Sequence, residues 1–356
     1  MKRKMLLIPL VLLLIASLVA CAAPAPAPAP APAPVPAAGP QKITWMFGYY
    51  GAPAHPQVVP PMTRWAENVA ARVWPEYDFE MKWSFMGVIA SGPEVLDATG
   101  AGMQDLGRFK PTDSPGKVDL SGLAQLPILP EDLEAAGEVM FEYWKLPMIT
   151  AEYAEWNTMI LCSSAFDAQE LMLNFPAEGL DDLDGRKIRM WGPYGKIFEK
   201  AGAVPIMIPV AEAYEALQRG TVEGALSGYP TSIHAYRWHD IAKNILVSGT
   251  GPTGCPIVLN SDSWNALPAK VKEAMSIEAA LVPGYTKKSI LDASGPCLED
   301  FAEAGVVIRE SPPADKARLK TYVYEVVDIY VAEYDEKGLT GSEAWAKLKE
   351  IIAKWS

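Results

Sequence analysis

The chain has 356 residues, with 31 lysines and arginines against 43 aspartates and glutamates, for a formal net charge of −12. That acidic balance excludes nucleic acid and an anionic membrane surface as partners held by bulk electrostatics. A local arginine can still hold an anion, because a distant field is screened over ~8 Å. Four cysteines and three histidines exclude a disulfide scaffold and argue against a zinc centre built from His and Cys.

Lys2, Arg3 and Lys4 precede an apolar run over residues 5–19. The run is shorter than the roughly 20 apolar residues a membrane span needs, so it reads as the core of an export signal. It ends in Leu18-Val19-Ala20-Cys21, which resembles a bacterial lipobox. Residues 1–20 are therefore expected to be a lipoprotein signal peptide, with Cys21 lipidated. Residues 22–40 form an uncharged Ala-Pro stretch with eight prolines. Proline fixes φ and lacks an N–H, so the stretch reads as a polyproline II tether reaching about 60 Å at ~3.1 Å per residue. With the leader's three cations removed, the mature chain stands at about −15.

From residue 41 the pattern alternates strand and helix, which favours an α/β architecture. Strands are predicted at 42–47 and 77–85, flanking a helix at 62–73 whose apolar positions recur with helical spacing. A helix at 93–103, a short strand at 105–107 and a helix at 131–143 follow. Strands come next at 158–163, expected to carry the chain into a second lobe, and at 187–190. The helix at 211–219 has Gly220 placed to end it. Beyond strands at 244–247 and 257–259, long helices are predicted at 270–282 and 319–334. Ser342 reads as the N-cap of a last helix with Trp345, Leu348, Ile352 and Trp355 on one face.

Motifs for chemistry are sparse. There is no CxxC, HExxH or GxSxG, and Cys162, Cys255 and Cys297 read as small buried residues. Residues 249–254 match GxGxxG by letter. Pro252 and Pro256 bracket that turn and a strand follows it, whereas a dinucleotide site needs a helix to start there. It reads as a glycine-rich crossing between strands.

Between 180 and 268 an ordered series appears: Leu183-Asp184-Gly185-Arg186-Lys187-Ile188-Arg189-Met190, then Gly202-Ala203-Val204-Pro205-Ile206, then Glu212-Ala213-Tyr214-Glu215-Ala216-Leu217-Gln218-Arg219-Gly220-Thr221-Val222-Glu223-Gly224, then Leu259-Asn260-Ser261-Asp262-Ser263-Trp264-Asn265-Ala266-Leu267-Pro268. In order and spacing it resembles the DctP-like solute-binding subunits of TRAP (tripartite ATP-independent periplasmic) transporters, with Glu223 in place of the family's usual Asp.

The resemblance implies a type II-like, two-lobed periplasmic-binding-protein fold with the ligand cleft between the lobes and a long connecting helix. Lobe I is expected from 41–157 plus about 256–290, and lobe II from 158–255 plus about 291–356. The family's carboxylate-clamping arginine maps onto Arg189, a role suited to a planar fork that cannot deprotonate. Trp191, on the same strand face, is expected as an apolar wall or a core residue. Ser227 and Tyr229 fall where the family places a polar contact, often Asn. Tyr49 and Tyr50 after the first strand, and Arg108 and Phe109 after the third, are the lobe I candidates. Arg108 reads as a second anion contact or as a surface ion pair. No arginine stands in 158–165, where many members carry one, so the ligand is expected to be one carboxylate on a bulkier or aromatic body.

Function is thus expected to be capture of a small organic acid outside the cytoplasmic membrane, with no bond chemistry and no cofactor, a ligand-bridging metal ion staying open. The implied partners are a small and a large integral TRAP subunit, with membrane attachment through Cys21. The alternatives weighed are a binding lipoprotein of an ABC permease or sensor, and an extracytoplasmic enzyme on a similar fold.

Overall fold

The computed structural model describes residues 39–355; the predicted signal peptide, Cys21 and nearly all of the tether lie outside them. Two sheets organise the described chain. The first has the order β2-β1-β3-β10-β4, from β1 (Gln41–Gly48), β2 (Tyr77–Ser84), β3 (Leu106–Arg108), β4 (Thr158–Phe166) and β10 (Thr253–Asn260). The second has the order β11-β9-β5-β8-β6-β7, from β5 (Gln169–Leu173), β6 (Lys187–Arg189), β7 (Val204–Ile206), β8 (Gly224–Gly228), β9 (Asn244–Val247) and β11 (Val307–Glu310). Each sheet centres one lobe.

Local chemistry explains the elements that set the site. In β1, Trp45 and Phe47 point into the core, matching the two-residue period of a strand. Helix α1 (Val59–Val73) opens with two prolines, which suit a first turn because its N–H groups have no partner there. It buries Met62, Trp65, Ala66, Val69 and Val73 as one stripe. β1 runs parallel to both β2 and β3, so the chain ends of β1 and β3 emerge side by side at one sheet edge, carrying Tyr49 and Arg108.

Helix α2 (Val95–Gly100) precedes β3. Helix α3 (Leu133–Trp144) is capped by Asp132, which accepts from the Glu134 and Ala135 N–H groups at 3.0 Å. Then come α4 (Pro147–Ala154), α5 (Gly192–Glu199), α6 (Ala213–Gln218), α7 (Thr231–Ala235), α8 (Ser261–Asn265) and α9 (Ala269–Ala279). Helix α10 (Val282–Glu303), 22 residues long, packs on α1, α3 and β4 of lobe I and reaches α7 of lobe II. At 1.5 Å per residue it spans about 33 Å and is the expected connecting helix. Helices α11 (Pro313–Glu336) and α12 (Gly341–Trp355) complete the chain. No described helix is long and apolar enough to cross a membrane.

Three expectations are corrected. The chain leaves lobe I at Phe166, not at 158, because β4 pairs with β10 along its whole length, from Thr158–Asn260 to Phe166–Thr253. The C-terminal segment does not belong to lobe II throughout: α11 lies on α5, but α12 packs on α3, where Trp355 Nε1 donates to Glu142. Ser342 is no cap; α12 begins at Gly341, and Ser342 instead donates its N–H to Asp335 at 3.0 Å. The buried stripe of α12 is Ala344, Leu348 and Ile351, with Trp355 exposed. The glycine-rich stretch joins β9 to β10 without a helix, and the buried Glu170 carboxylate accepts from the Ser248 and Gly249 N–H groups.

Candidate functional site

The lobes are closed on each other, and the contact is built from ends of strands. Lobe I brings Tyr49 and Tyr50 from the end of β1, Arg108 and Lys110 from the end of β3, Phe166 from β4 and Cys255 from β10. Lobe II brings Arg189 from the end of β6, Trp191 just beyond it, and Tyr236 from the turn after α7.

Arg189 is held on two sides by its own lobe. Its Nε donates to the Ile208 carbonyl and its Nη1 to the Leu226 carbonyl, both at 3.1 Å. It is 5% exposed, and no described carboxylate lies in ion-pair reach. Burial lowers its pKa, against the pull of Asp113, Tyr236 and Tyr50. Arg108 is 7% exposed. Its guanidinium carbon lies 4.0 Å from the Phe166 ring centre, 5.5 Å from that of Tyr50 and 5.8 Å from that of Tyr49. Nη1 reaches the Tyr49 hydroxyl at 3.4 Å, and Nε is buried without a partner. An aromatic cage returns part of a cation's hydration, but it supplies no counter-charge.

Lys110 adds a third cation. Its Nζ sits 3.4 Å from the Trp191 ring centre and 3.6 Å from Asp113 Oδ1. Burial pulls its pKa down to about 8. Among the described residues, three cations thus gather in one buried space beside a single carboxylate, Asp113. The phenols of Tyr49, Tyr50 and Tyr236 all have raised pKa values through burial, so they stand as neutral donors. His55 lies between the Tyr49 and Tyr236 rings, at 6.1 and 5.7 Å, with Ser232 Oγ 3.3 Å from its Nε2. Burial and then Arg108 lower its pKa to about 3, so it adds no charge.

Gly192 marks how tightly the lobes meet. Its φ is +43°, and a Cβ there would stand 3.0 Å from Thr112 of the other lobe, so any larger residue would be strained. Beyond Tyr50 and Tyr236 the cleft opens into an outer chamber of about 480 Å³, lined also by Met86, Val210, Tyr214 and Trp238.

Of the residues read from sequence, Arg189, Arg108, Tyr49, Tyr50 and Trp191 come together here. Ser227 is buried in β8, next to the carbonyl that holds Arg189. Two do not join. Tyr229 stacks on Phe301 of α10, with ring centres 6.4 Å apart. Phe109 is fully buried, edge-on to Tyr153, because the side chain after Arg108 faces the opposite side of the strand. Tyr236, Lys110, Phe166 and Cys255 were missed. Lys110 was open to inference from the two-residue period that placed Arg108, whereas Tyr236 sits on a turn with no pattern around it. Among the described residues, no group of three His, Cys, Asp or Glu side chains could hold a metal ion.

A two-lobed α/β fold thus brings two buried arginines, with no ion-pair partner among the described residues, to the junction of its lobes. The model of the bacterial extracellular solute-binding proteins of family 7, DctP, matches residues 47–334, and the chain belongs to that family. A solute-binding protein of Sulfitobacter sp. (strain NAS-14.1) is 27% identical over 215 residues, 59% of this chain and 64% of its own length. The C4-dicarboxylate-binding periplasmic protein DctP of Rhodobacter capsulatus is 28% identical over 136 residues, covering 37% of this chain and 40% of its own. This chain thus spans less than two thirds of the length of either. Among solved structures, a TRAP solute-binding protein from an unidentified marine metagenome microbe, described as specific for aromatic acid ligands and complexed with 3-hydroxybenzoate, superposes with a TM-score of 0.80. It is 18% identical and covers 89% of this chain and 99% of its own, which establishes a shared fold.

Proposed function

We propose that this protein is the extracytoplasmic receptor of a TRAP transporter, capturing a small organic acid by lobe closure and delivering it to a permease of a small and a large membrane subunit. The observation that carries the reading is the pair of buried guanidinium groups, Arg108 and Arg189, with no carboxylate in ion-pair reach among the described residues. An unpaired buried charge costs several kcal/mol, and a ligand carboxylate supplies the missing anion. Arg189, pinned by two carbonyls, offers its remaining N–H groups as a fork; Arg108, Tyr50 and Tyr236 complete the donors. The rings of Phe166, Tyr50, Tyr236 and Trp191 favour a planar or bulky body, as does the aromatic acid bound by the fold neighbour. Binding, not bond chemistry, is the whole of the mechanism.

On this reading residues 1–20 direct export, Cys21 carries the lipid anchor, and the Ala-Pro stretch holds the receptor off the membrane. Lobe I then comprises 41–166 and about 253–290, and lobe II 167–252 and about 300–312. The test is calorimetric titration of ligand-stripped protein with a panel of organic acids, in parallel with Arg189→Ala. One-to-one binding of a carboxylate, weakened at least about tenfold in the variant, is expected. Binding indifferent to Arg189 removes the clamp.

A further inference from the structure

The outer chamber is not accounted for by anion capture. Its lining excludes Arg108 and Arg189, yet it includes Tyr50, whose ring centre lies 5.5 Å from the Arg108 guanidinium carbon, and Tyr236, whose ring centre lies 5.7 Å from that of His55. At about 480 Å³ it falls within the range of roughly 300–1,000 Å³ typical of ligand sites. Ala52, Met86, Val210, Ala211, Tyr214, Ala235 and Trp238 make it mainly apolar. Its charged residues, Arg237 and Asp240, neutralise each other at 2.8 Å. Met86 and Arg237 also hold left-handed backbone, both at φ +57°, a conformation that costs a non-glycine residue free energy and gathers at ligand clamps. They come from opposite lobes, so the chamber straddles the cleft between them.

We propose that this chamber is a second subsite, which takes the distal apolar part of the bound acid. This rests on the receptor reading above and sharpens it. The preferred ligand is an elongated acid, with its carboxylate between Arg108 and Arg189 and an aryl or alkyl body passing between Tyr50 and Tyr236 into the chamber. Compact acids fill the inner site and leave the apolar walls wet.

The test is calorimetric titration of the ligand-stripped full mature protein with benzoate, phenylacetate, 3-phenylpropionate and 4-phenylbutyrate. Affinity is expected to rise about thirtyfold or more across the series, as three further methylenes and the ring displacement are buried. Ala235→Trp and, separately, Ala211→Trp fill the chamber and should collapse that ratio to about threefold or less; circular dichroism checks that each folds. A flat or falling series with Arg189-dependent benzoate binding overturns the subsite and leaves the receptor standing. A rising series that neither tryptophan alters overturns it too, by placing the longer acids elsewhere. If no acid binds, the receptor reading fails and the subsite falls with it.

Discussion

Replacing Arg108 by methionine should make the ligand-free receptor close more readily while binding acids less well. In the closed structure Arg108 is 7% exposed and lacks a counter-ion. Bringing such a charge out of water costs several kcal/mol after relaxation. The Phe166 ring at 4.0 Å returns ~2 kcal/mol, and the Tyr49 contact at 3.4 Å is too long to add much. A residual of ~2–3 kcal/mol opposes closure, a factor of about 30–150 in the open-to-closed ratio. Methionine keeps the length of the side chain and removes the charge. Small-angle scattering of ligand-free protein should show a smaller radius of gyration for Arg108→Met than for the native chain. The lost charged hydrogen bond to ligand is worth ~1.5–3 kcal/mol, but easier closure offsets part of it. Apparent affinity should therefore fall by no more than about fivefold. An unchanged radius of gyration would refute the argument that an unpaired cation holds the lobes apart.

Two further outcomes follow from buried titratable groups. Lys110 titrates near pH 8 because burial disfavours its charge, and a bound carboxylate favours that charge again. Binding should take up a proton near pH 8 and weaken as pH rises from 7 to 9, seen as buffer-dependent heats in calorimetry; Lys110→Met should remove the dependence, and if it persists, Lys110 is not its source. Asp167, at the crossing between the lobes, accepts from the Thr231 N–H and hydroxyl at 3.0 Å and from Gln57, and burial raises its pKa to about 6. The folded chain then binds more protons than the unfolded chain between pH ~4 and 6, so this group's stabilisation is lost as pH rises through 6. Asp167→Asn should flatten the fall in urea stability between pH 4 and 7, and an unaltered slope would assign that fall to other groups.

What could be read from the sequence followed from periodicity, from strand ends and from the family resemblance. Arg189 was legible through that resemblance, which maps the clamping arginine onto it, and Arg108 because it follows a short strand. The helix at 62–73 showed its stripe plainly. The lobe boundary was not legible: Thr158 to Phe166 is buried over most of its length, and a strand enclosed on both faces carries no alternation to say which sheet it joins. Tyr229 was legible because it directly follows β8, whereas Tyr236 sits on the turn after α7 with no pattern around it. Only the packing of Phe301 against Tyr229 decides which ring faces the arginines. The cap of α12 was misassigned because Ser342 bonds to Asp335 of the preceding helix, a tertiary contact.

The placement of β10 has a consequence for how the polypeptide is made. It is the strand between β3 and β4, yet it leaves the ribosome almost a hundred residues after β4, with nearly all of the other sheet in between. The first sheet therefore has a gap in its middle until Asn260 has emerged, and the second lacks its outer strand β11 until Glu310. Neither lobe can finish folding as an N-terminal piece. Such long-range pairing folds slowly, which keeps the nascent chain loose for most of its synthesis.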